Sequence, residues 1–345
     1  MFNINANDAE AILRDYGITA KMASITELQR YNYERKDPAS KEVRLIVKIA
    51  LDGCAPLVMR FKNEMDVTIE LIESQSRFAN ALRENGIITP EQHMANGRYA
   101  NWYNIGGYDV IVTVEEFVEN EVKLVDSAIA RKTGALLART HAIAEQCDIH
   151  VKNDVLFDPF AHNDLFAFDA FASLKDSLGG ESKALFDRIV DKYDEHMEAL
   201  APLKSQPRYA VQGDISDCNL YLTAEGDVGI FDFNRAGDNV LFCDAIMQAI
   251  FEARLMDYPE DRAEDFESQI LNAFLDGYRS VRSFTQEERE LFPYLFRIVD
   301  AFWSFDMLWR KDGLMNSHKA GDSEAVMNWL KVIWERITSD VKYAI

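Results

Sequence analysis

The chain has 345 residues, of which 48% are hydrophobic and 28% are charged, and its formal net charge at pH 7 is −21. This composition is typical of a folded globular protein and excludes a disordered one, because the apolar side chains suffice to offset the entropy lost on ordering the chain. The negative charge argues against nucleic acid as a partner, since a polyanion is repelled at long range, and it is compatible with cationic small molecules.

Cysteine usage and hydropathy bear on the cellular compartment. The four cysteines lie far apart without a C-x-x-C pair, so they predict neither a zinc site nor a disulfide framework. Residues 1–15 already contain acids, and the sequence has no run of about 18 apolar residues that would predict a membrane span. We therefore expect a cytoplasmic protein with no membrane partner, and the sequence leaves its oligomeric state open.

The first third of the chain combines helix and strand patterns. A helix is predicted from Asn7 to Tyr16, where Gly17 can end it in a left-handed conformation. Apolar and polar residues then alternate from Val43 to Ile49, which predicts a half-buried strand. The pair Asp52-Gly53 turns the chain, and Leu57 to Lys62 is predicted to return as a second strand.

The pattern changes near residue 118. A helix is predicted from Met65 to Glu84 and a β-branched strand from Tyr108 to Val114, after which strand signals become scarce and helical ones dominate. We place a lobe boundary near Val118. The fold class predicted is α+β, with a small N-terminal lobe (1–118) that carries an antiparallel sheet and a larger, mainly helical C-terminal lobe (119–345).

The second lobe is predicted to open with a helix from Asp126 to Glu145. This helix is rich in small residues: Gly134, Ala135, Ala138 and Ala142. Small side chains allow two helix backbones to approach closely, so we expect another helix to pack against this one.

Three polar residues in the second half of the chain have a spacing that points to chemistry. Asp214 and Asn219 form a D-x-x-x-x-N pattern, and Asp232 follows where a second metal-binding aspartate is expected in a kinase. Aspartate alone is often a turn former or a helix cap. That alternative does not explain why the three residues occur together at these spacings beside apolar strands.

A hairpin is predicted between these residues. Leu220–Thr223 and Val228–Phe231 read as two short strands joined around a Glu-Gly turn, which would bring Asn219 opposite Asp232. Facing side chains in an antiparallel pair lie about 5 Å apart. A carboxylate and an amide oxygen at that distance could share a hard cation such as Mg²⁺.

These motifs resemble a known family. The stretch from Gln212 to Phe233 is similar to the H-G-D-x-x-x-x-N and I-D-F/W signatures of the aminoglycoside phosphotransferase and choline kinase superfamily, and Gly134–His141 and Gly237–Ala245 resemble two further segments of that superfamily. The resemblance covers nearly the whole chain. It implies a two-lobed protein-kinase-like fold and an ATP- and Mg²⁺-dependent kinase whose partner is a small-molecule hydroxyl acceptor, without identifying that acceptor.

The resemblance also implies roles for individual residues. Asp214 would be the catalytic base that deprotonates the acceptor hydroxyl, while Asn219 and Asp232 would hold Mg²⁺. Arg60, on the Leu57–Lys62 strand, would pair with the ATP phosphates. Lys62 lies on the same strand face and is kept as the alternative.

Other parts of the nucleotide site follow from the same resemblance. The acidic partner of the phosphate-binding basic residue is expected on the next helix, with Glu73 as first choice and Gln75 as the alternative in the nearer aligned position. Glu116 and Val118 match the linker whose backbone carbonyl and amide would receive adenine.

The chain departs from the family pattern in two places. Gln212 stands where the family usually has histidine, and no glycine occurs between Gly17 and Gly53, where a loop over the phosphates is expected. These departures suggest an alternative from another functional class, a nucleotide-binding pseudokinase with a regulatory role. The retained Asp214 and Asn219 weigh against it.

The acceptor site is indicated by weaker signals. The aromatic stripe from Phe302 to Trp309, which includes Trp303 and Asp306, has helical spacing and either packs in a core, which we favour, or walls an acceptor pocket. Asp217 in the catalytic loop and Asp300 would add negative charge. Together with the net charge, these acids favour an acceptor that carries an amine.

Two residues of the family segments are interpreted as structural. His141 is predicted to be a buried core histidine on a packed helix. Asp244 is predicted to cap a helix that begins at Ala245 rather than to bind metal.

Overall fold

The computed structural model describes residues 1–255, 258 and 262–345, and the chain divides into two compact units that interleave in sequence. Unit 1 consists of residues 1–123, 149–153 and 218–234, and unit 2 consists of residues 124–148, 154–217 and 235–345. The predicted lobe boundary at Val118 lies close to the first division, but the segment that contains Asn219 and Asp232 returns to unit 1.

The described residues contain nine strands and ten α-helices. The strands are β1 (Met22–Tyr31), β2 (Val43–Leu51), β3 (Leu57–Asn63), β4 (Asn101–Ile105), β5 (Tyr108–Glu116), β6 (Tyr209–Val211), β7 (Leu220–Leu222), β8 (Val228–Ile230) and β9 (Gly237–Asn239). The helices are α1 (Ala6–Asp15), α2 (Ile69–Glu84), α3 (Ser127–Gln146), α4 (Phe168–Ala172), α5 (Gly180–Ala199), α6 (Leu241–Ala253), α7 (Phe266–Arg279), α8 (Gln286–Ala301), α9 (Leu314–Lys319) and α10 (Ser323–Thr338).

Unit 1 is built on a five-stranded sheet with the order β1-β2-β3-β5-β4 and antiparallel pairs. The alternation predicted from Val43 to Ile49 is confirmed, because the odd-numbered residues of this stretch are buried in the core. On β3, Met59 and Phe61 enter the same core, which leaves Arg60 and Lys62 on the opposite face. The sheet thus presents two basic side chains side by side.

Two strands of this sheet were not expected from the sequence. Strand β1 lies at one edge and most of its residues are exposed, so its sequence lacks the apolar alternation that marks β2. Strand β4 is the other edge and alternates only weakly. The helix predicted from Met65 begins instead at Ile69, because the Thr68 hydroxyl accepts a hydrogen bond from the Leu71 N–H and caps it.

The β7–β8 hairpin belongs to unit 1 because it is bonded to other parts of that unit. Val122 N donates to Leu220 O, and Leu222 N donates to Asn120 O, so the chain that follows β5 runs along β7. On the other side, Ile230 N donates to Ile88 O. These backbone bonds explain why residues 218–234 group with the sheet, far away in sequence.

Unit 2 is mainly helical, and its closest helix contact is between α3 and α7. A Cβ at Gly134 would lie 2.0 Å from Phe274 O, and a Cβ at Gly277 would lie 1.9 Å from Arg131 O. Neither position can carry a side chain without separating the helices. The close approach predicted from the small residues of α3 is therefore confirmed.

The aromatic stripe near the end of the chain is not one continuous helix. Helix α8 ends at Ala301, Phe302 caps it, and a π-helical turn covers Phe305–Trp309. The Phe302 ring is fully buried among other aromatic rings, those of Phe166, Phe168, Phe171 and Tyr193. Core packing, the favoured interpretation, is thus what the structure shows for this residue.

The α+β fold class is confirmed, since an antiparallel sheet is followed by a mainly helical part. Within the described residues, none of the helices combines the length and the apolar character needed to span a membrane.

Candidate active site

A pocket in unit 1 contains several of the predicted nucleotide-site residues. Arg60 and Lys62 from β3, Gln75 from α2 and Asp232 from the segment after β8 all line it. Glu115 from β5 lines it as well, although the sequence pattern did not single out that residue. Basic and acidic side chains therefore meet over one face of the sheet.

Arg60 is held by two carboxylates. Its Nη2 lies 2.7 Å from Glu115 Oε1, and its Nη1 lies 3.4 Å from Asp232 Oδ2. Burial by itself lowers the pKa of Arg60, but the charges of Asp232 and Glu115 outweigh this effect and raise the pKa above its ordinary value. The guanidinium is therefore a permanent positive charge in the pocket.

Lys62 is a second, less strongly held cation. Burial is the main cause that lowers the pKa of Lys62 to about 8, and the nearby charge of Arg44 lowers it further. Its ammonium group is thus close to its titration range at neutral pH. The phosphates of a bound nucleotide would favour the charged form.

The structure does not bring Glu73, the first choice for the acidic partner, to Arg60. The Glu73 Oε2 accepts hydrogen bonds from the N–H groups of Tyr99 and Ala100, and its Oε1 lies 2.7 Å from Arg77. Glu73 faces the other side of α2 and anchors the loop before β4. This is a correction: the acidic partner comes from β5, as Glu115, rather than from the helix.

Gln75, the alternative, lines the pocket. Its Nε2 donates to Asn234 O at 2.9 Å, so it holds the segment after Asp232. Glu115, which no sequence pattern indicated, lies diagonally across the β3–β5 ladder, in which Arg60 faces Thr113. Such diagonal neighbours are within reach of long side chains, and this pairing could be recognised only once the register was known.

Asn219 and Asp232 lie at the open end of the β7–β8 hairpin. Leu220 pairs with Ile230, and Phe231 N donates to Asn219 O at 3.0 Å. Asn219 therefore faces Phe231, and the predicted register is corrected by one residue. Asp232 leaves the strand with a φ of 55°, a left-handed conformation that aspartate tolerates better than most residues, so strand alternation does not decide where its carboxylate points.

The donor set of the hairpin fits Mg²⁺. A carboxylate and an amide oxygen are hard ligands, and Mg²⁺ usually takes only one or two carboxylates, with water and phosphate oxygens completing the shell. The described ranges contain no group of three or more His, Cys, Asp or Glu residues that could enclose a metal ion. A metal site completed by nucleotide phosphates is consistent with the small number of protein ligands in the hairpin and with the absence of a larger cluster among the described residues.

Glu116 and Val118 lie at and just beyond the end of β5. Glu116 N donates to Glu91 O, and Phe117 N donates to Pro56 O, which ties this stretch to the neighbouring chain. Val118 lies in a segment without helix or strand and is half-buried. Their part in adenine binding stays a prediction.

Residues 212–217 of the predicted catalytic loop lie in unit 2, after β6. Asp214 is half-buried, and its N–H donates to the Gln212 Oε1 at 2.8 Å. Gly213 between them has a φ of 79°, and a Cβ there would lie 2.9 Å from Arg235 O. The loop therefore requires glycine at 213, and the amide of Gln212 supplies a hydrogen bond at the position where the family usually has histidine.

His141 and Asp244 form a buried pair beneath this loop. His141 is fully buried, as predicted for a core histidine, and its Nε2 lies 2.9 Å from Asp244 Oδ2 while its Nδ1 lies 2.9 Å from the Tyr278 hydroxyl. Asp244 does not cap its helix, which is a correction. Helix α6 begins at Leu241, so Asp244 is already inside the first turn and points to His141.

The predicted acceptor residues lie in two different parts of the chain. Asp217 is in a 3₁₀ turn (Asp217–Asn219), but its side chain lies outside what the structure describes. Trp303 and Asp306 are buried and line a pocket of unit 2. Other residues of this pocket are Arg254, Trp309, Arg310 and Arg336.

Asp300 and Asp306 are both paired with arginines. Asp306 Oδ2 lies 2.7 Å from Arg336 Nη1, and Asp300 Oδ1 lies 2.7 Å from Arg254 Nη2. The expectation that Asp300 and Asp306 offer negative charge to a cationic acceptor is therefore corrected. Each carboxylate is paired within unit 2 before any ligand arrives.

Comparison with known proteins agrees with the motifs. A sequence model of the family described as phosphotransferase enzyme family (APH) matches residues 29–284. A homoserine kinase of Polaromonas naphthalenivorans (strain CJ2) is 30% identical over 146 residues, which are 39% of this chain and 43% of that protein. The chain thus matches less than half the length of this relative.

Solved structures show that the fold is shared. An amicoumacin kinase, hAmiN, in complex with AMP-PNP, Ca²⁺ and Ami superposes with a TM-score of 0.57 at 15% identity, covering 96% of this chain and 93% of that one. A microcompartment-associated aminopropanol kinase superposes with a TM-score of 0.54 at 17% identity, covering 96% and 95%. At these identities the likeness concerns the fold alone.

Proposed function

Because the chain belongs to the phosphotransferase enzyme family, we propose that it is a kinase that transfers the γ-phosphate of ATP to a hydroxyl group of a small polar acceptor. The observation that carries the proposal is the unit 1 pocket, in which Arg60 and Lys62 lie beside Asp232. Two cations next to a carboxylate that could hold Mg²⁺ suit a triphosphate with its metal ion, because phosphoryl transfer depends on charge neutralisation and positioning.

In this proposal the residues of unit 1 bind the nucleotide. Arg60 and Lys62 attract the phosphates, and the backbone of Glu116 and Val118 receives adenine. Asn219 and Asp232 hold Mg²⁺, which when bound neutralises the charge of the transferred phosphoryl group. The Arg60 guanidinium stays charged throughout, since the carboxylate of Glu115 remains its partner at 2.7 Å.

Asp214 is proposed as the catalytic base. Its carboxylate would accept the proton of the acceptor hydroxyl as the phosphoryl group is transferred, and it would orient that hydroxyl for in-line attack. Support comes from its place in the D-x-x-x-x-N spacing and from the hydrogen bond that holds its backbone at 2.8 Å.

The acceptor is proposed to carry an amine beside its hydroxyl. This rests on the net charge of −21 and on the names of similar proteins, since one is an aminopropanol kinase and another a homoserine kinase. Asp300 and Asp306 do not support an amine-bearing acceptor, because both are paired with arginines. A cytoplasmic location is also proposed, because ATP, the phosphate donor of the proposed reaction, is used there.

The test is a turnover screen of the purified protein with ATP and Mg²⁺. Acceptors are 1-amino-2-propanol, L-homoserine, choline, aminoglycosides and ribosides, and release of ADP is followed together with the mass of the phosphorylated product. Phosphorylation of at least one hydroxyl acceptor is expected. For an active amino alcohol, its neutral isostere is compared at low and raised salt; equal kcat/KM for both would refute the amine requirement and leave the kinase activity standing.

The pseudokinase alternative is separated by the same screen. It predicts binding of Mg-ATP by calorimetry and no turnover of any acceptor. One reason for that alternative is weakened, because Gln212 bonds the Asp214 N–H in place of the family histidine.

A further inference from the structure

Two buried glutamine side chains hold two successive backbone N–H groups of the catalytic loop. Gln212 Oε1 accepts from Asp214 N at 2.8 Å, and Gln248 Oε1 accepts from Ile215 N at 3.1 Å. Gln212 is 0% exposed and Gln248 is 2% exposed. Buried amides of this kind must be hydrogen-bonded, so their orientation is constrained by their partners.

The orientation of the Gln248 amide is set by a chain of partners behind it. Its Nε2 donates to Asp244 Oδ1 at 3.2 Å, while the other oxygen of Asp244 lies 2.9 Å from His141 Nε2. A carboxylate oxygen can accept a hydrogen bond but cannot donate one, so the amide nitrogen of Gln248 must face Asp244. The amide oxygen of Gln248 therefore faces Ile215. The Tyr278 hydroxyl at 2.9 Å from His141 Nδ1 completes the chain.

The loop between these anchors has little freedom. Gly213 has a φ of 79° and packs against the backbone at Arg235, where a Cβ would approach Arg235 O to 2.9 Å. Ile215 is fully buried, whereas Asp214 is half-buried. Constraints on the N–H groups of 214 and 215 therefore fix the direction in which the Cα–Cβ bond of Asp214 leaves the backbone.

We propose that Gln212 and Gln248 are positioning residues for the phosphoryl transfer: they hold the backbone of Asp214 so that its carboxylate meets the acceptor hydroxyl. The proposal rests on the proposed function of Asp214 as base. Misplacement of a catalytic group by about 1 Å can cost about 10²-fold in rate. Both anchors are neutral amides, which do not themselves titrate.

The test compares Gln212→Met and Gln248→Met with the wild type. Methionine has a similar length and accepts hydrogen bonds only weakly. The matched control is His196→Leu, which removes a buried bond of the same unit, from His196 Nε2 to Ile337 O at 2.9 Å, remote in sequence from the loop. Thermal melting identifies the temperature at which all four proteins are folded.

For each protein, kcat and KM for ATP are measured with 1-amino-2-propanol or L-homoserine as acceptor. Amide hydrogen exchange of residues 214 and 215 is measured by mass spectrometry with electron-transfer fragmentation. Each Met variant is expected to lose about 10- to 10²-fold in kcat with little change in KM for ATP. Exchange should accelerate roughly tenfold, at 214 in Gln212→Met and at 215 in Gln248→Met. The His196→Leu protein should keep the wild-type kcat and the wild-type exchange at both residues.

The proposal is overturned if both Met variants are folded and retain kcat within about twofold of the wild type, or if the exchange of residues 214 and 215 is unchanged. It is also overturned if KM for ATP rises while kcat is kept, because the two amides would then serve nucleotide binding. Absence of turnover by the wild type itself with every acceptor would instead refute the proposed function, and the exchange rates would still decide whether the amides hold the loop.

Discussion

The guanidinium of Arg60 reaches the carboxylate of Asp232, with Nη1 3.4 Å from Oδ2, in addition to its closer pair with Glu115 at 2.7 Å. A strong charge-assisted bond is about 2.7–2.9 Å long, so the contact with Asp232 is the weaker of the two. In the proposed function, Asp232 would exchange Arg60 for a metal ion, while Glu115 would keep the arginine in place. This arrangement leads to the first prediction.

Replacing Asp232 by Ala should weaken the binding of Mg-ATP by about tenfold or more, which corresponds to about 1.4 kcal/mol. Binding of ATP in EDTA should not weaken, since Arg60 loses a competing carboxylate. Calorimetry with and without Mg²⁺ measures both affinities. Asp227→Ala, in the turn of the same hairpin, is the control, and unchanged Mg-ATP affinity of Asp232→Ala would remove this residue from the metal site.

Replacing Asp214 by Asn should lower kcat by about 10²- to 10⁴-fold, the usual contribution of a general base. The affinity for Mg-ATP should stay near that of the wild type, because the lost carboxylate acts on the acceptor. Steady-state kinetics and calorimetry measure the two effects, with Asp191→Asn on the exposed side of α5 as the control. Turnover of Asp214→Asn near the wild-type rate would exclude this residue as the base.

Replacing Arg60 by Ala should raise KM for ATP about tenfold, with a milder effect for Lys62→Ala. Arg60 is the more firmly held cation, since Glu115 fixes it through both Nε and Nη2. Initial rates at varied ATP provide the measurement. If Lys62→Ala is the more damaging variant, Lys62 is the main phosphate ligand and Arg60 serves chiefly to hold the two acids.

The low pKa of Lys62, about 8, predicts a pH dependence. KM for ATP should rise as pH passes from 7 to 9, because the neutral amine no longer attracts phosphate. In the absence of ligand, the same low pKa makes the folded protein more stable as pH rises. Between about pH 8 and 10.5, the ordinary pKa of lysine, Lys62 binds more protons in the unfolded chain than in the folded one, so the free energy of unfolding increases with pH there.

The measurement for Lys62 is KM for ATP across this pH range in the wild type and in Lys62→Arg. Arginine stays protonated, so the step near pH 8 should disappear in the variant. A step of equal size in both proteins would assign it to another group.

The contact between α3 and α7 predicts a stability effect. Gly134→Ala should lower the free energy of unfolding by about 1–3 kcal/mol, because a Cβ would lie 2.0 Å from Phe274 O and the helices must separate. Denaturant unfolding followed by circular dichroism measures this change. Gly179→Ala is the control, since a Cβ there meets nothing within 4 Å, and equal stability of the two variants would show that the α3–α7 contact yields without cost.

Much of unit 1 and the main motif could be predicted from the sequence because their signals are local. The alternation from Val43 to Ile49 marks β2, and the turn at Asp52-Gly53 leads directly to β3. The spacing of Asp214 and Asn219 is a property of one loop and needs no distant contact. Helix α3 likewise shows its packing face through Gly134.

Only the tertiary structure decided which of several candidate residues contacts a given partner. The sequence offered Glu73 on α2 as the first choice and Gln75 as the alternative. In the structure, backbone N–H groups of the loop before β4 bind Glu73, and strand pairing brings Glu115 to Arg60. Likewise Gln248 has no local pattern that links it to residue 215, which lies 33 positions earlier. Such contacts depend on the register of strands and the packing of helices, which the order of residues along one segment does not contain.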